Sequence, residues 1–171
     1  MSIEGLINSW VQDGRLVALE PALPSEPNVR SVFASAEVRS ALMGPWATTR
    51  IEVRLSSARA DVDAFISGSP FGVRMPPSRS VKARLALLDD PSHEVWEIRT
   101  RDPKPGVRIF GRFAEGDCFV ALTWAFREEV NNDDWTREIE RCKREWRTLF
   151  PTYNPLSGGD VDAYVTNAFP V

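Results

Sequence analysis

The chain has 171 residues, 43% hydrophobic and 26% charged, with six Trp and nine Phe, enough apolar area for one well-filled domain and too much for a chain disordered throughout. Its net charge is −3, and it has no apolar run long enough to cross a membrane. The first residues, MSIEGLINSW, lack the basic start and long apolar stretch of a secretory leader, and Cys118 and Cys142 have no metal or redox spacing, so a reduced, cytoplasmic protein with no cofactor and no membrane partner is expected.

In chain order, Ile3, Leu6, Ile7 and Trp10 keep helical spacing up to Gly14, residues 15–19 read as a strand, and Pro21, Pro24 and Pro27 mark a loop. Residues 1–45 are therefore expected to be an N-terminal extension. From 46 to 67 two patterns compete. The stretch TTRIEVRLS alternates as a strand would, but Ala47, Ile51, Leu55, Ala58, Val62 and Phe65 keep one helical face between Pro45 and Gly68, and a helix explains the longer segment. Residues 68–78, with Pro70, Gly72, Pro76 and Pro77, read as a loop.

Three strands follow, at 94–100 (EVWEIRT), 106–114 (GVRIFGRFA) and 117–126 (DCFVALTWAF). Connections this short force antiparallel neighbours. A helix is expected over 133–149, capped by Asn132 or Asp133 and stopped by Pro151, with Trp135, Ile139, Cys142, Trp146 and Leu149 as its apolar stripe. The tail, 150–171, reads as irregular, with Tyr153, Tyr164 and Phe169 available for packing. The expected fold is α/β of the α+β kind: a small, mainly antiparallel sheet over 46–149 with helices on one face.

Strict alternation splits these strands into two faces. One carries Trp96, Ile98, Val107, Ile109, Phe113, Val120, Leu122, Trp124 and Phe126, and the 135–149 stripe is its expected cover. The other carries Glu97, Arg99, Arg108, Phe110, Arg112, Phe119, Ala121, Thr123, Ala125 and Arg127. Charge is distributed to match. Residues 70–127 hold 10 basic and 7 acidic side chains, a net of +3, between flanks of −2 and −4. Exposed arginines on an open sheet face are ordinary, but four together suit phosphate oxygens, and Phe110 or Phe119 would offer a base a stacking surface.

The order of elements resembles the RelE/HigB toxin superfamily, in particular its phage-derived HigB-like branch. The resemblance rests on Trp96-Glu97-Ile98-Arg99, on Arg108-Ile109-Phe110, on Ala121–Arg127 as an apolar strand ending in Phe126 and a basic residue, and on the helix that follows. It implies a toxin of a type II toxin–antitoxin system, an mRNA endonuclease acting on or off the ribosome, with a cognate antitoxin and mRNA as partners. By that resemblance Arg99, Arg108 and Arg127 are the catalytic positions and Arg79, Lys82 and Arg84 join them in holding RNA, with Phe110 and Arg112 added from the arginine-bearing strand face. Arginine stays protonated, so its role is electrostatic while a 2′-hydroxyl attacks the phosphate. Two alternatives stand beside it: a non-catalytic phage or mobile-element protein of the same fold that binds a protein partner, and a ParE-like topoisomerase inhibitor. His93, the only histidine, precedes the first strand of the three and reads as an exposed loop residue. The pairs Asp89–Asp90 and Asp133–Asp134 read as turn and cap residues, and no Gly-rich phosphate loop, HExxH or nucleophile elbow is present.

Overall fold

The computed structural model describes residues 1–171, the side chain of Asn132 excepted. Three helices of the N-terminal half start at hydroxyl caps. Ser2, Ser35 and Thr48, all in extended backbone, accept the amides of Gly5, Val38 and Ile51 at 3.0, 3.2 and 3.3 Å. They open α1 (Ile3–Gln12), α2 (Ala36–Met43) and α3 (Thr49–Ile66). The competition over 46–67 thus resolves as a helix. The later helices are α4 (Asn132–Leu149) and α5 (Val161–Tyr164). The amide of Asn131 donates to Asp134 Oδ2 at 3.1 Å, which puts the start of α4 one residue ahead of the expected caps.

The strands are β1 (Leu16–Ala18), β2 (Ser31–Ser35), β3 (Phe71–Arg74), β4 (Leu85–Leu87), β5 (Trp96–Arg99), β6 (Val107–Glu115), β7 (Cys118–Phe126) and β8 (Ala168–Pro170). They form one sheet in the order β1-β2-β7-β6-β5-β4-β3-β8. The run β7-β6-β5-β4 is antiparallel throughout, as is β1 with β2, whereas β2/β7, β3/β4 and β3/β8 are parallel. The fold is α+β with a mostly antiparallel sheet, as expected. Residues 1–45 supply two of its strands, and the tail supplies β8 at the other edge.

The helices do not share one face. Val38, Ala41 and Leu42 of α2, five residues of α3, and Val161 and Tyr164 of α5 form one core with Trp96, Ile98, Val107, Ile109 and Phe113. A second core, on the opposite face, joins Ile7 of α1 and Ile139, Cys142, Trp146 and Leu149 of α4 to Phe110, Val120 and Leu122. The α4 stripe is as the periodicity predicts, but it covers the face that carries the arginines.

A β-bulge explains the difference. Phe110 lies opposite Thr123 and Gly111 opposite Ala121, so Leu122 has no partner on β6. One extra residue reverses the alternation along β7. Phe119 and Ala121 fall into the α2/α3 core and Val120 and Leu122 under α4, the opposite of strict alternation. The Ser35 hydroxyl, besides capping α2, donates to the Leu122 carbonyl at 2.8 Å and satisfies the bulged peptide. Gly111 makes the crossing sterically feasible: a Cβ there would lie 2.2 Å from the Val120 carbonyl oxygen and 2.5 Å from Phe119 Cζ.

Candidate functional site, an arginine-lined cleft

Because α4 covers only part of its face, β3–β5 and the chain between β3 and β4 are left to wall a cleft of about 500 Å³. Its lining holds six arginines (Arg74, Arg79, Arg99, Arg101, Arg108 and Arg127) against two carboxylates, Glu97 and Asp89. Trp135 and Ile139 of α4 form one apolar wall, and Val81, Ala83 and Leu88 another.

The strand register builds the floor. Arg74, Ala86, Glu97, Phe110 and Thr123 form a row across β3 to β7, and Arg99, Arg108 and Ala125 form the next. Residues two apart on a strand share a face, so Glu97 and Arg99 stand side by side. Arg99 Nε donates to Glu97 Oε1 at 2.5 Å, and Arg108 Nε lies 3.3 Å from Oε2. This second contact is an ion pair without hydrogen-bond geometry, and both of its atoms are buried with no hydrogen-bond partner among the described residues. Arg108 also donates through Nη1 to the carbonyls of Thr100 and Val107. The Glu97 side chain is 1% exposed, those of Arg99 and Arg108 13% and 15%.

Charge is held here under strain of solvation. Burial lowers the pKa of Arg108, with Glu97 partly restoring it. It also lowers that of Arg74, where the nearby Arg99 acts in the same direction. Arg74 Nε is buried without a hydrogen-bond partner among the described residues. Both guanidiniums stay protonated at neutral pH, and an anion in the cleft would offset the desolvation of each.

The expected site residues are thereby sorted. Arg99, Arg108, Arg127 and Arg79 line the one cleft. Arg79 is paired with Asp89 at 2.7 Å on the exposed rim. Arg127 is exposed, donates to the Val130 carbonyl and lies 5.5 Å over the Trp135 ring. The others are elsewhere. Arg112 is buried beneath α4, 5.5 Å from the Trp146 ring, donating to the carbonyls of His93 and Glu94. Arg84 lies on the opposite face, bonded to Asp61 of α3 and 4.4 Å over the Phe71 ring. Lys82 is exposed in the loop and absent from the cleft lining.

Phe110 is fully buried, edge-on to Trp135 at 5.9 Å, and Phe119 is buried in the other core, so neither can stack on a base. His93 sits in the single turn Pro91–His93, its Nδ1 3.4 Å from Lys143 Nζ, outside the cleft. The two glutamates that follow Arg127 do not neutralise it. Glu128 forms a two-pronged ion pair with Arg54 of α3 at 2.6 and 2.7 Å, and Glu129 accepts the Phe126 amide.

The sequence did not assign the charged cleft residues Arg74, Asp89, Glu97 and Arg101 to the site, nor its apolar walls, Trp135 and Ile139 on one side and Val81, Ala83 and Leu88 on the other. Glu97 had a legible signal in sharing a strand face with Arg99, and Trp135 and Ile139 had one in belonging to the α4 stripe. Cys118 and Cys142 are buried, which pushes both thiols up to about 12. Among the described residues no group of three His, Cys, Asp or Glu side chains is placed to hold a metal, and no helix is long and apolar enough to cross a membrane. Set against known proteins, the chain matches no family model, no curated protein and no solved structure.

Proposed function

We propose that the chain is an endoribonuclease of the RelE/HigB toxin kind, and that the arginine cleft holds the scissile phosphodiester. The observation that carries this is convergence. Arg99, Arg108 and Arg127, from two strands and the turn after a third, line the same cleft, joined there by Arg74, Arg79 and Arg101. Six guanidiniums against two carboxylates make a site for a phosphate ester, and forked N–H donors fit its oxygens. The three strands β5, β6 and β7 followed by α4, the order of elements on which the resemblance rests, support the same reading.

The chemistry asked of the cleft is charge stabilisation. The 2′-oxygen of RNA attacks phosphorus, the bond to the 5′-oxygen breaks, and the strand ends in a 2′,3′-cyclic phosphate, with protons exchanged with solvent. Negative charge grows on the non-bridging oxygens in the transition state, and fixed guanidiniums in a partly desolvated cleft stabilise it. An acidic segment of an antitoxin would occupy the same cleft by charge complementarity.

The test is cleavage of end-labelled RNA, with and without translating ribosomes, by the native chain and by Arg127→Ala. Arg127 is exposed and pairs with no acid among the described residues, so its removal leaves no buried charge behind. Cleavage by the native chain and its loss in the variant are expected. Equal cleavage by both, or none by the native chain in either setting, would contradict the proposal.

A further inference from the structure

Glu97 stands out on the cleft floor because stability alone does not explain it. A fully buried carboxylate loses several kcal/mol of solvation, and apolar residues in place of a buried ion pair are often as stable or more so. Its contacts are selective. Both flanking arginines turn their Nε edge towards it, Arg99 at 2.5 Å and Arg108 at 3.3 Å. Arg108 spends Nη1 on two backbone carbonyls, and among the described residues no hydrogen bond engages its Nη2 or either Nη of Arg99. Three buried atoms of this floor, Arg74 Nε, Arg108 Nε and Glu97 Oε2, lack hydrogen-bond partners among the described residues, which is where a buried polar network is poised for a ligand.

We infer that Glu97 is a positioning residue that holds Arg99 and Arg108 by their Nε edges as a two-pronged clamp for one phosphoryl group, with Arg108 Nη2 and both Nη groups of Arg99 left to bind its oxygens. The inference deepens the proposed function and rests on the same cleft, but it concerns phosphate binding rather than cleavage. Its consequence runs against simple electrostatics. Replacing Glu97 with Gln removes a negative charge from the cleft, so Coulomb attraction alone would tighten phosphate binding. Loss of the clamp geometry would weaken it.

The experiment is calorimetric titration of the folded chain with inorganic phosphate and pyrophosphate, with thermal melting to confirm folding. Glu97→Gln is expected to weaken both anions about tenfold, the equivalent of one charge-assisted hydrogen bond. Glu97→Asp keeps the charge but is too short to span both guanidiniums, and is expected to weaken them as well. Should both variants fail to fold, Arg99→Lys keeps the pair and the charge while removing the fork, and about a tenfold loss is again expected. Unchanged or tighter binding in the folded variants overturns the clamp, as does a native chain that binds neither anion. A native chain that binds phosphate with the expected variant losses yet cuts no RNA overturns the endoribonuclease function alone.

Discussion

Replacing Arg108 with Ala ought to damage the fold as well as the site, and the two effects separate. Glu97 is buried between Arg99 and Arg108, and removing one partner of a buried charge pair costs about 3–5 kcal/mol. Arg99 remains at 2.5 Å and the Arg108 side chain is 15% exposed, so the lower end, about 3 kcal/mol, is expected. Set against a typical total of about 5–15 kcal/mol, that is a large fraction, equal to a fall in Tm of about 6–12 °C for a domain of this size. The assay is urea unfolding of the native chain, Arg108→Ala, Glu97→Gln and the double variant. The cycle should return a coupling of about 2 kcal/mol, because Arg108 has less to neutralise once Glu97 is uncharged. A cost below about 0.5 kcal/mol for Arg108→Ala, with no coupling, would refute the claim that Glu97 is a buried charge held by its arginines. It follows that loss of activity in Arg108→Ala counts as chemistry only after folding is measured, whereas exposed Arg127→Ala should stay within about 1 kcal/mol of the native chain.

The bulge, the thiols and the tail each give a further expectation. Gly111→Ala places its Cβ 2.2 Å from the Val120 carbonyl oxygen and is expected to cost at least about 1–3 kcal/mol in a thermal melt; an unchanged Tm would contradict the close strand crossing. Cys118 and Cys142, with thiols pushed up to about 12, should resist an aromatic disulfide reagent in the native chain at mildly alkaline pH and react on unfolding. Rapid native reaction would contradict their burial. Tyr164 donates to the buried Glu94 carboxylate at 2.8 Å, and burial, followed by that hydrogen bond, pushes its hydroxyl up from 10.0 to about 12. The folded chain keeps a proton that the unfolded chain loses, so this stability is full below pH 10 and is lost as pH rises towards 12. Urea midpoints at about pH 9 and about pH 11 should show the fall, and Tyr164→Phe should remove that slope while costing about 1–3 kcal/mol at neutral pH.

Much of the framework was legible because its periodicities are long. The α3 face from Ile51 to Phe65, the α4 stripe, and the short β5–β6–β7 connections are all as their spacing predicts. The layering was not legible. In a strand as apolar as CFVALTWAF, an extra residue leaves no mark on the hydrophobic pattern, so the bulge at Leu122 and the exchange of faces behind it are hidden. The cleft suffered in the same way. Arg99 and Arg108 could be paired from alternation within and between adjacent strands, but Arg74 reaches that face only through a parallel pairing of β3 with β4, which local sequence does not encode. Arg84 and Arg112, equally basic by composition, are taken up by Asp61 on one side and by the carbonyls under α4 on the other.

The most direct measurement is the chemistry of the cut itself. A single-stranded RNA and the same strand carrying one 2′-deoxy sugar at the mapped cleavage position should be incubated with the native chain and with Arg127→Ala, with translating ribosomes supplied if the free chain is inactive. Cleavage by the native chain, fragments ending in a 2′,3′-cyclic phosphate or the 3′-phosphate derived from it, no cut at the deoxy position and loss of cutting in the variant are expected. Cutting that persists at the 2′-deoxy position, or that ignores Arg127, would contradict an arginine cleft acting on RNA through its own 2′-hydroxyl.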